Sequence, residues 1–221
     1  MRLNKWLAEH SRYSRRAADA LISQGKVVIN GQTALVGQPY NDGDTVLLDG
    51  KIISQTNAKK IVVLLHKPVS YVCSRNGQGA QTVYSLIPVH LHSLDIAGRL
   101  DKDSSGLVVL TNDGTLLHDL THPSHNKVKE YIVGLDVPLA SQHQAAIQQG
   151  VKLEDGLSKL QLVLLDASKH KWQVTMHEGR NRQIRRTFEA LGYTIVSLHR
   201  TRMDNYLIGT IPTGKFKQLS A

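Results

Sequence analysis

The sequence predicts an α+β protein in two parts: a small helical–hairpin module, then a larger domain with a largely antiparallel mixed sheet and flanking helices. Three observations predict it. Short apolar helix faces and Asn-Gly or Asp-Gly turns crowd residues 1–50. From Ile61 onward the apolar runs lengthen into strand-like segments. Those segments do not alternate regularly with helices, so a doubly wound βαβ sheet is not indicated. A chain of 221 residues can bury a sizeable core, and 41% hydrophobic residues supply one without suggesting disorder.

Taken in order, Leu3, Trp6, Leu7 and Ala8 fall on one helical face. A second helix starts with Ser14 as N-cap, buries Ala17, Ala20 and Leu21, and stops at Gly25. Val27-Val28-Ile29 then meets Asn30-Gly31, a strong two-residue hairpin signal. Asp42-Gly43 and Asp49-Gly50 bracket a further strand from Thr45 to Leu48. Residues 51–60 are polar and end in Lys59-Lys60, which reads as a linker. The boundary is therefore expected between a module at 1–58 and a domain at 59–221. In the domain, strands are expected at 61–66, 106–111, 128–135, 160–166, 171–177 and 193–198, and helices at 115–120, 139–149 and 182–191. Gly192 closes the last helix. No repeat or low-complexity tract is present.

Composition narrows the function. The single cysteine, Cys73, allows neither an intramolecular disulfide nor a CxxC metal pair. It lacks a catalytic His–Asn context and reads as a small packed side chain. Met1 to Trp6 has no apolar signal-peptide region, and the aliphatic run Ile61 to Leu65 is far too short to cross a bilayer. A cytoplasmic protein with no membrane partner is expected. A net charge of +9 makes polyanions the first partners to consider, provided the charge is clustered.

It is clustered. Residues 1–26 hold Arg2, Lys5, Arg12, Arg15, Arg16 and Lys26 against Glu9 and Asp19. Any one of these is more often a solvated charge than a ligand contact. Arg15 and Arg16, however, sit in the first turn of a helix, where cations oppose the dipole at a cost of a few tenths of a kcal/mol. A helix start that also carries arginines makes a phosphate cradle. The pattern recurs at Arg180, Arg182, Arg185 and Arg186. Arg182 and Arg186 are four apart and are expected to face solvent or phosphates, while Ile184, Phe188 and Leu191 form the buried stripe. A nucleic-acid backbone is the natural ligand.

The first module resembles the alpha-L RNA-binding motif of the ribosomal protein S-four type. The matching residues run from Arg2-Leu3-Asn4-Lys5-Trp6-Leu7 through Ser14-Arg15-Arg16-Ala17 to Gly25-Lys26-Val27-Val28-Ile29-Asn30-Gly31. The resemblance implies binding to structured RNA and is silent on catalysis.

The most informative segment is Gly98-Arg99-Leu100-Asp101-Lys102-Asp103-Ser104-Ser105-Gly106-Leu107-Val108-Val109-Leu110-Thr111-Asn112-Asp113-Gly114. It reads as a polar loop feeding a buried strand that ends in a turn, with Asp113 capping the next helix. Loop carboxylates such as Asp101 and Asp103 usually cap or brace turns. Here the segment resembles the RsuA-type pseudouridine synthases, with their GRLD loop, aliphatic strand and TNDG end. Lys129-Glu130-Tyr131-Ile132-Val133 and Glu178-Gly179-Arg180-Asn181-Arg182-Gln183-Ile184-Arg185-Arg186 are similar to two further family blocks, in the right order.

The resemblance implies a role for each matching position. Asp101 is the attacking aspartate, with the sugar and the base as its two candidate targets. Tyr131, which alone would read as a core aromatic, packs against the uracil and moves a proton. Arg185 pairs with Asp101, and Arg99 holds the flipped-out nucleotide. Arg180, Arg182 and Arg186 face RNA. An ionised carboxylate in an apolar cleft needs such a guanidinium, because burial disfavours its charged form. The implied isomerisation consumes nothing, so no cofactor and no metal are expected. His118, His122 and His125 read as a hydrated loop or a phosphate contact, since Pro123 breaks any helix that would align them as ligands.

Leu198-His199-Arg200-Thr201-Arg202-Met203 through Ile211-Pro212-Thr213-Gly214 most resembles the RluF branch, which implies ribosomal RNA of the large subunit, or transfer RNA, as substrate. The rival reading is a non-catalytic RNA-binding assembly factor. It has no use for Asp101, Tyr131 and Arg185 together. A monomer without an obligate protein partner is expected.

Overall fold

Caps and left-handed turns set the first unit of the structure. That structure, a computed structural model, describes residues 1–11, 13–54, 59–77 and 79–219. Its chain divides into units Met1–Lys60 and Ile61–Ala221. In the first, α1 (Leu3–His10) packs on α2 (Arg15–Ser23), whose N-cap Ser14 Oγ accepts a hydrogen bond from Ala17 N–H at 3.2 Å. The buried face of α2 is Ala18 and Ile22, not the Ala17, Ala20 and Leu21 expected from sequence. Ala18 and Ile22 are one turn apart and centre the stripe; Ala17 and Leu21 lie at its margin and Ala20 is exposed.

Four short strands complete this unit: β1 (Val27–Ile29), β2 (Gln32–Thr33), β3 (Val46–Leu48) and β4 (Lys51–Ile52), in the order β2-β1-β3-β4. Asn30 and Gly31 take φ of 50° and 82°, as a type I′ hairpin demands. Asp49 and Gly50 repeat the device and turn residues 51–52, expected as linker, back into the sheet. The rest of the expected linker includes residues 55–58, which lie outside the described residues. Trp6 anchors the core, stacked between His10 and Tyr40 at centroid distances of 4.6 and 4.5 Å.

The second unit is built on one large sheet. Its elements are β5 (Val62–Lys67), β6 (Asp95–Ala97), β7 (Ser105–Thr111), α3 (Gly114–Thr121), β8 (Lys129–Leu135), α4 (Ser141–Gln149), β9 (Val151–Leu153), β10 (Gly156–Ser158), β11 (Gln161–Leu164), β12 (Lys171–Met176), α5 (Gln183–Glu189), β13 (Ile195–Met203), β14 (Tyr206–Leu207) and β15 (Phe216–Leu219). The sheet runs β11-β12-β8-β13-β7-β5-β15, with β14 on β13 and β6 on β7, while β9 and β10 form a separate hairpin. Among the described residues its pairs are antiparallel except β13–β7, which is parallel, so the sheet is mixed as expected.

Alternation along the strands gives the sheet two apolar faces. Val63, Leu65, Val108, Leu110, Val133 and Val174 build the main core on one side. Leu64, Leu107 and Val109, with Leu120 of α3, build a smaller one on the other. Asp113 caps α3 by accepting from the Thr115 and Leu116 N–H groups at 2.9 and 3.3 Å.

Candidate active site

One row of residues crosses four strands beneath the Gly98–Ser104 loop. Lys67 on β5 pairs with Gly106 on β7, Gly106 with Arg200 on β13, and Arg200 with Tyr131 on β8. Directly paired residues share a face, so Lys67, Arg200 and Tyr131 all rise on the side of the main core. Gly106 has φ of +112°, and a Cβ there would stand 2.3 to 2.9 Å from Arg200 backbone atoms. Only glycine allows this close approach.

Above the row, the loop joins β6 to β7. It opens at Gly98, whose φ of +71° favours glycine and where a Cβ would stand 2.8 Å from the end of the Met203 side chain. Leu100 is buried and points its N–H at Cys73 Sγ, 3.5 Å away. Cys73 is buried, as its packing role predicts, and burial pushes its thiol pKa up. Ser104 N–H closes the loop on Asp101 O at 3.1 Å. The Asp101 side chain, 36% exposed, thus stands at the mouth of a cleft of about 510 Å³ whose walls include Arg99, Tyr131, Arg182, Arg185 and Arg200.

The expected pairing of Asp101 with Arg185 is not what the structure contains. Arg182 Nη1 lies 3.4 Å from Asp101 Oδ2 and also reaches Asp103 at 3.3 Å. The cause is local. Arg182 is not inside the helix but caps it in a left-handed conformation, φ 46° and ψ 31°, which turns its side chain back over the loop. Arg182 is 43% exposed, as its expected solvent-facing position requires, and in addition reaches the two loop carboxylates. Arg185, inside α5 and 13% exposed, donates to Ile195 O at 3.1 Å, Asp103 O at 3.1 Å and Ser104 Oγ at 3.3 Å. Its Nε lies 3.3 Å from Asp103 Oδ2, at ion-pair distance but not aimed to hydrogen-bond. Arg185 therefore fastens the loop to the start of β13.

Asp103 sits between the two arginines. Burial alone would raise its pKa, but the Arg182 hydrogen bond and the charges of Arg185 and Arg182 hold it below the usual carboxylate range. A depressed carboxylate favours the folded state above its unfolded pKa. That contribution is lost as pH falls through the folded value.

The remaining basic residues are placed as follows. Arg180 and Arg186 both bind Asp155 in the β9–β10 turn, at 2.8 and 2.7 Å, which holds the Asp155 carboxyl below its usual range chiefly through the Arg186 hydrogen bond. Neither is a free cation, although each keeps part of its surface open. Arg99 is exposed at the cleft. In the first unit Arg2, Arg15, Arg16 and Lys26 are exposed, and Lys5 lies 3.8 Å from Glu9. Arg12 lies outside the described residues. The rings of His118, His122 and His125 cluster with centroids 4.7 to 5.5 Å apart, and His122 lines the cleft.

Sequence reasoning missed Lys67 and Arg200, which are 0% and 1% exposed. Their signal was phase: Val63, Leu65, Lys67 and Leu198, Arg200 continue buried alternations with a cation where an apolar residue is due.

The cationic cleft suits a polyanionic ligand, and comparison with known proteins gives the class. The family described as RNA pseudouridylate synthase matches residues 61–190, and the S4 domain matches residues 1–46. The chain belongs to the RNA pseudouridylate synthase family, a family of isomerases. It is 34% identical over 221 residues to the dual-specificity RNA pseudouridine synthase RluF of Escherichia coli K12, covering all of this chain and 76% of that protein. It is also 34% identical to the ribosomal small subunit pseudouridine synthase A of Pasteurella multocida, covering 100% of this chain and 97% of the relative. A solved pseudouridylate synthase superposes with a TM-score of 0.72 at 32% identity, covering 100% of this chain and 96% of the other.

Proposed function

We propose that this synthase converts a uridine of large-subunit ribosomal RNA to pseudouridine with Asp101 as the nucleophile. One observation carries the reading: Asp101 stands at the mouth of a cleft whose wall includes Tyr131 and whose rim is cationic. The target base leaves its stack to enter, as in other base-modifying enzymes. Asp101 attacks, the bond from N1 of the uracil to the sugar breaks, and the base turns. Carbon 5 then bonds the sugar, the bond to Asp101 breaks and frees the carboxylate, the carbon 5 proton leaves and N1 takes one up, so atoms and electrons balance without a co-reactant. Tyr131 packs on the uracil, Arg99 holds the nucleotide, Arg182 faces Asp101, and Arg185 keeps the loop in place. Arg180 and Arg186 add phosphate contacts from the edges they share with Asp155.

The relatives support ribosomal RNA of either subunit, and one of them supports the large subunit in particular. A 34% identical protein of Vibrio cholerae is the ribosomal large subunit pseudouridine synthase B, and the Escherichia coli relative is termed dual-specificity. Incubating the protein separately with ribosomal and transfer RNA, then mapping pseudouridines, is expected to show one new site in large-subunit RNA. New sites in neither RNA would overturn the proposal. A site in transfer RNA alone would reassign the substrate.

Residues 1–58 are proposed as the module that grips structured RNA through Arg2, Lys5, Arg12, Arg15, Arg16 and Lys26. The double change Arg15→Ala, Arg16→Ala is expected to weaken binding and flatten its salt dependence by about 0.9 log units per lost phosphate contact, with the rate at saturating RNA unchanged. Titrations at several salt concentrations read this directly, and an unchanged slope would remove these two arginines from the interface.

A further inference from the structure

We propose that Lys67 and Arg200 are positioning residues that fix the loop bearing Asp101 by binding its backbone from below at both ends. The inference rests on Asp101 being the reacting group. Both cations are buried, and among the described residues neither has a carboxylate at ion-pair distance. Their partners are backbone carbonyls. The three N–H groups of Lys67 reach Pro68 O and Asp101 O at 3.0 Å and Ser104 O at 2.5 Å. Arg200 donates through Nε to Leu107 O at 2.8 Å and through its guanidinium to Gly98 O at 3.1 Å and Arg99 O at 3.5 Å.

These contacts bracket the reacting residue. Arg200 joins the first residues of the loop to the strand that follows it, while Lys67 joins its middle to its end. With Gly98, Arg99, Asp101 and Ser104 carbonyls drawn down toward the sheet, the loop is held where the Asp101 side chain opens on the cleft. Gly106 makes the arrangement possible. Lacking a side chain, it lets β13 close on β7 and leaves the two cations on either side of it in the same row.

Burial of a cation without a counter-charge is costly, and an apolar residue of similar size is often as stable or more so. Burial, with the nearby Arg200 charge, also pulls the Lys67 pKa down against the opposing charges of Asp103 and Asp101. Two such residues under one loop are therefore poor fasteners for the fold alone. Their use is geometric, because misplacing a reacting group by about 1 Å can cost on the order of 100-fold in rate.

The test uses the full chain and the RNA it modifies. Arg200→Lys keeps the charge but has no fork to span Leu107 O and Gly98 O. It is expected to lower the single-turnover rate at saturating RNA about 100-fold, with RNA affinity changed less than about twofold. Amide exchange should rise within residues 98–104 while β7 stays protected, and Lys67→Met is expected to do the same. A rate for Arg200→Lys near that of the unaltered protein, or one reduced only in proportion to an unfolded fraction, would overturn the proposal. Should these variants fail to fold, exchange in the unaltered protein decides. Protection of the Leu100 and Ser104 amides close to that of β7 supports the clamp, and free exchange there refutes it. That measurement does not depend on chemistry, so it stands apart from any failure of Asp101 as nucleophile.

Discussion

Asp101→Asn is expected to abolish isomerisation while leaving the fold and RNA affinity nearly untouched. The substitution keeps size and backbone, so Lys67 still binds Asp101 O and Ser104 N–H still finds its acceptor. It removes the one carboxylate of the Gly98–Ser104 loop that lines the cleft. Loss of a nucleophile costs on the order of 10⁶-fold in kcat where it has been measured in a hydrolase, so turnover here should fall below detection. Stability changes little, because the ion pair with Arg182 is solvent-exposed on both sides and worth at most about 1 kcal/mol. Affinity stays level or rises slightly, since a negative charge near phosphates disappears. Single-turnover assays beside binding titrations give the answer. Substantial turnover by Asp101→Asn would end the catalytic assignment.

The two arginines at the loop should separate cleanly. Arg182→Ala removes the guanidinium that faces Asp101 and is expected to cost on the order of 100-fold in single-turnover rate, with little change in Tm because the residue is 43% exposed. Arg185→Ala strips partners from Ile195 O, Asp103 O and Ser104 Oγ in a half-buried setting. Leaving such groups unpaired costs about 1–3 kcal/mol, and for a domain of this size each kcal/mol lowers Tm by about 2–4 °C. Its rate falls as well, because the loop loses its tie to β13. Thermal melts and rates on both variants check this. An Arg185→Ala protein with unchanged Tm and a collapsed rate would restore Arg185 as the direct partner of Asp101.

That swap shows where the sequence stopped being legible. Turn chemistry was readable: Asn30-Gly31 and Asp49-Gly50 adopt the positive φ that their residue types favour. So was the Asp113 cap, and so were the long strands β5, β7, β8 and β12, because each alternates or runs apolar over at least six residues. The end of β13 was hidden, because bulges between Ile195 and Ser197 and between Arg200 and Arg202 break the period of two. Strands of two to four residues, such as β14 and β15, carry too few positions for a period to show. The loop that bears Asp101 was legible only as a resemblance. Its fastening depends on a left-handed Arg182 and on Lys67 and Arg200, charged residues that solvation arguments place outside.

The parallel contact between β13 and β7 has a consequence for how the molecule assembles. Among the described residues, the strand pairing that joins the β11-β12-β8-β13 ribbon to the β7-β5-β15 ribbon is His199 opposite Ser105 and Arg200 opposite Gly106. Each ribbon is antiparallel within itself. The seam joins segments almost a hundred residues apart, so the entropy of closing a long chain must be met before it forms. Tyr131 and Arg200 belong to one ribbon, Lys67 and Gly106 to the other, and the Asp101 loop leads into the second. The cleft is thus a product of ribbon docking. During synthesis the first ribbon strands, β5 and β7, emerge long before β13 can cover them, and the chain has no assembled cleft until it does.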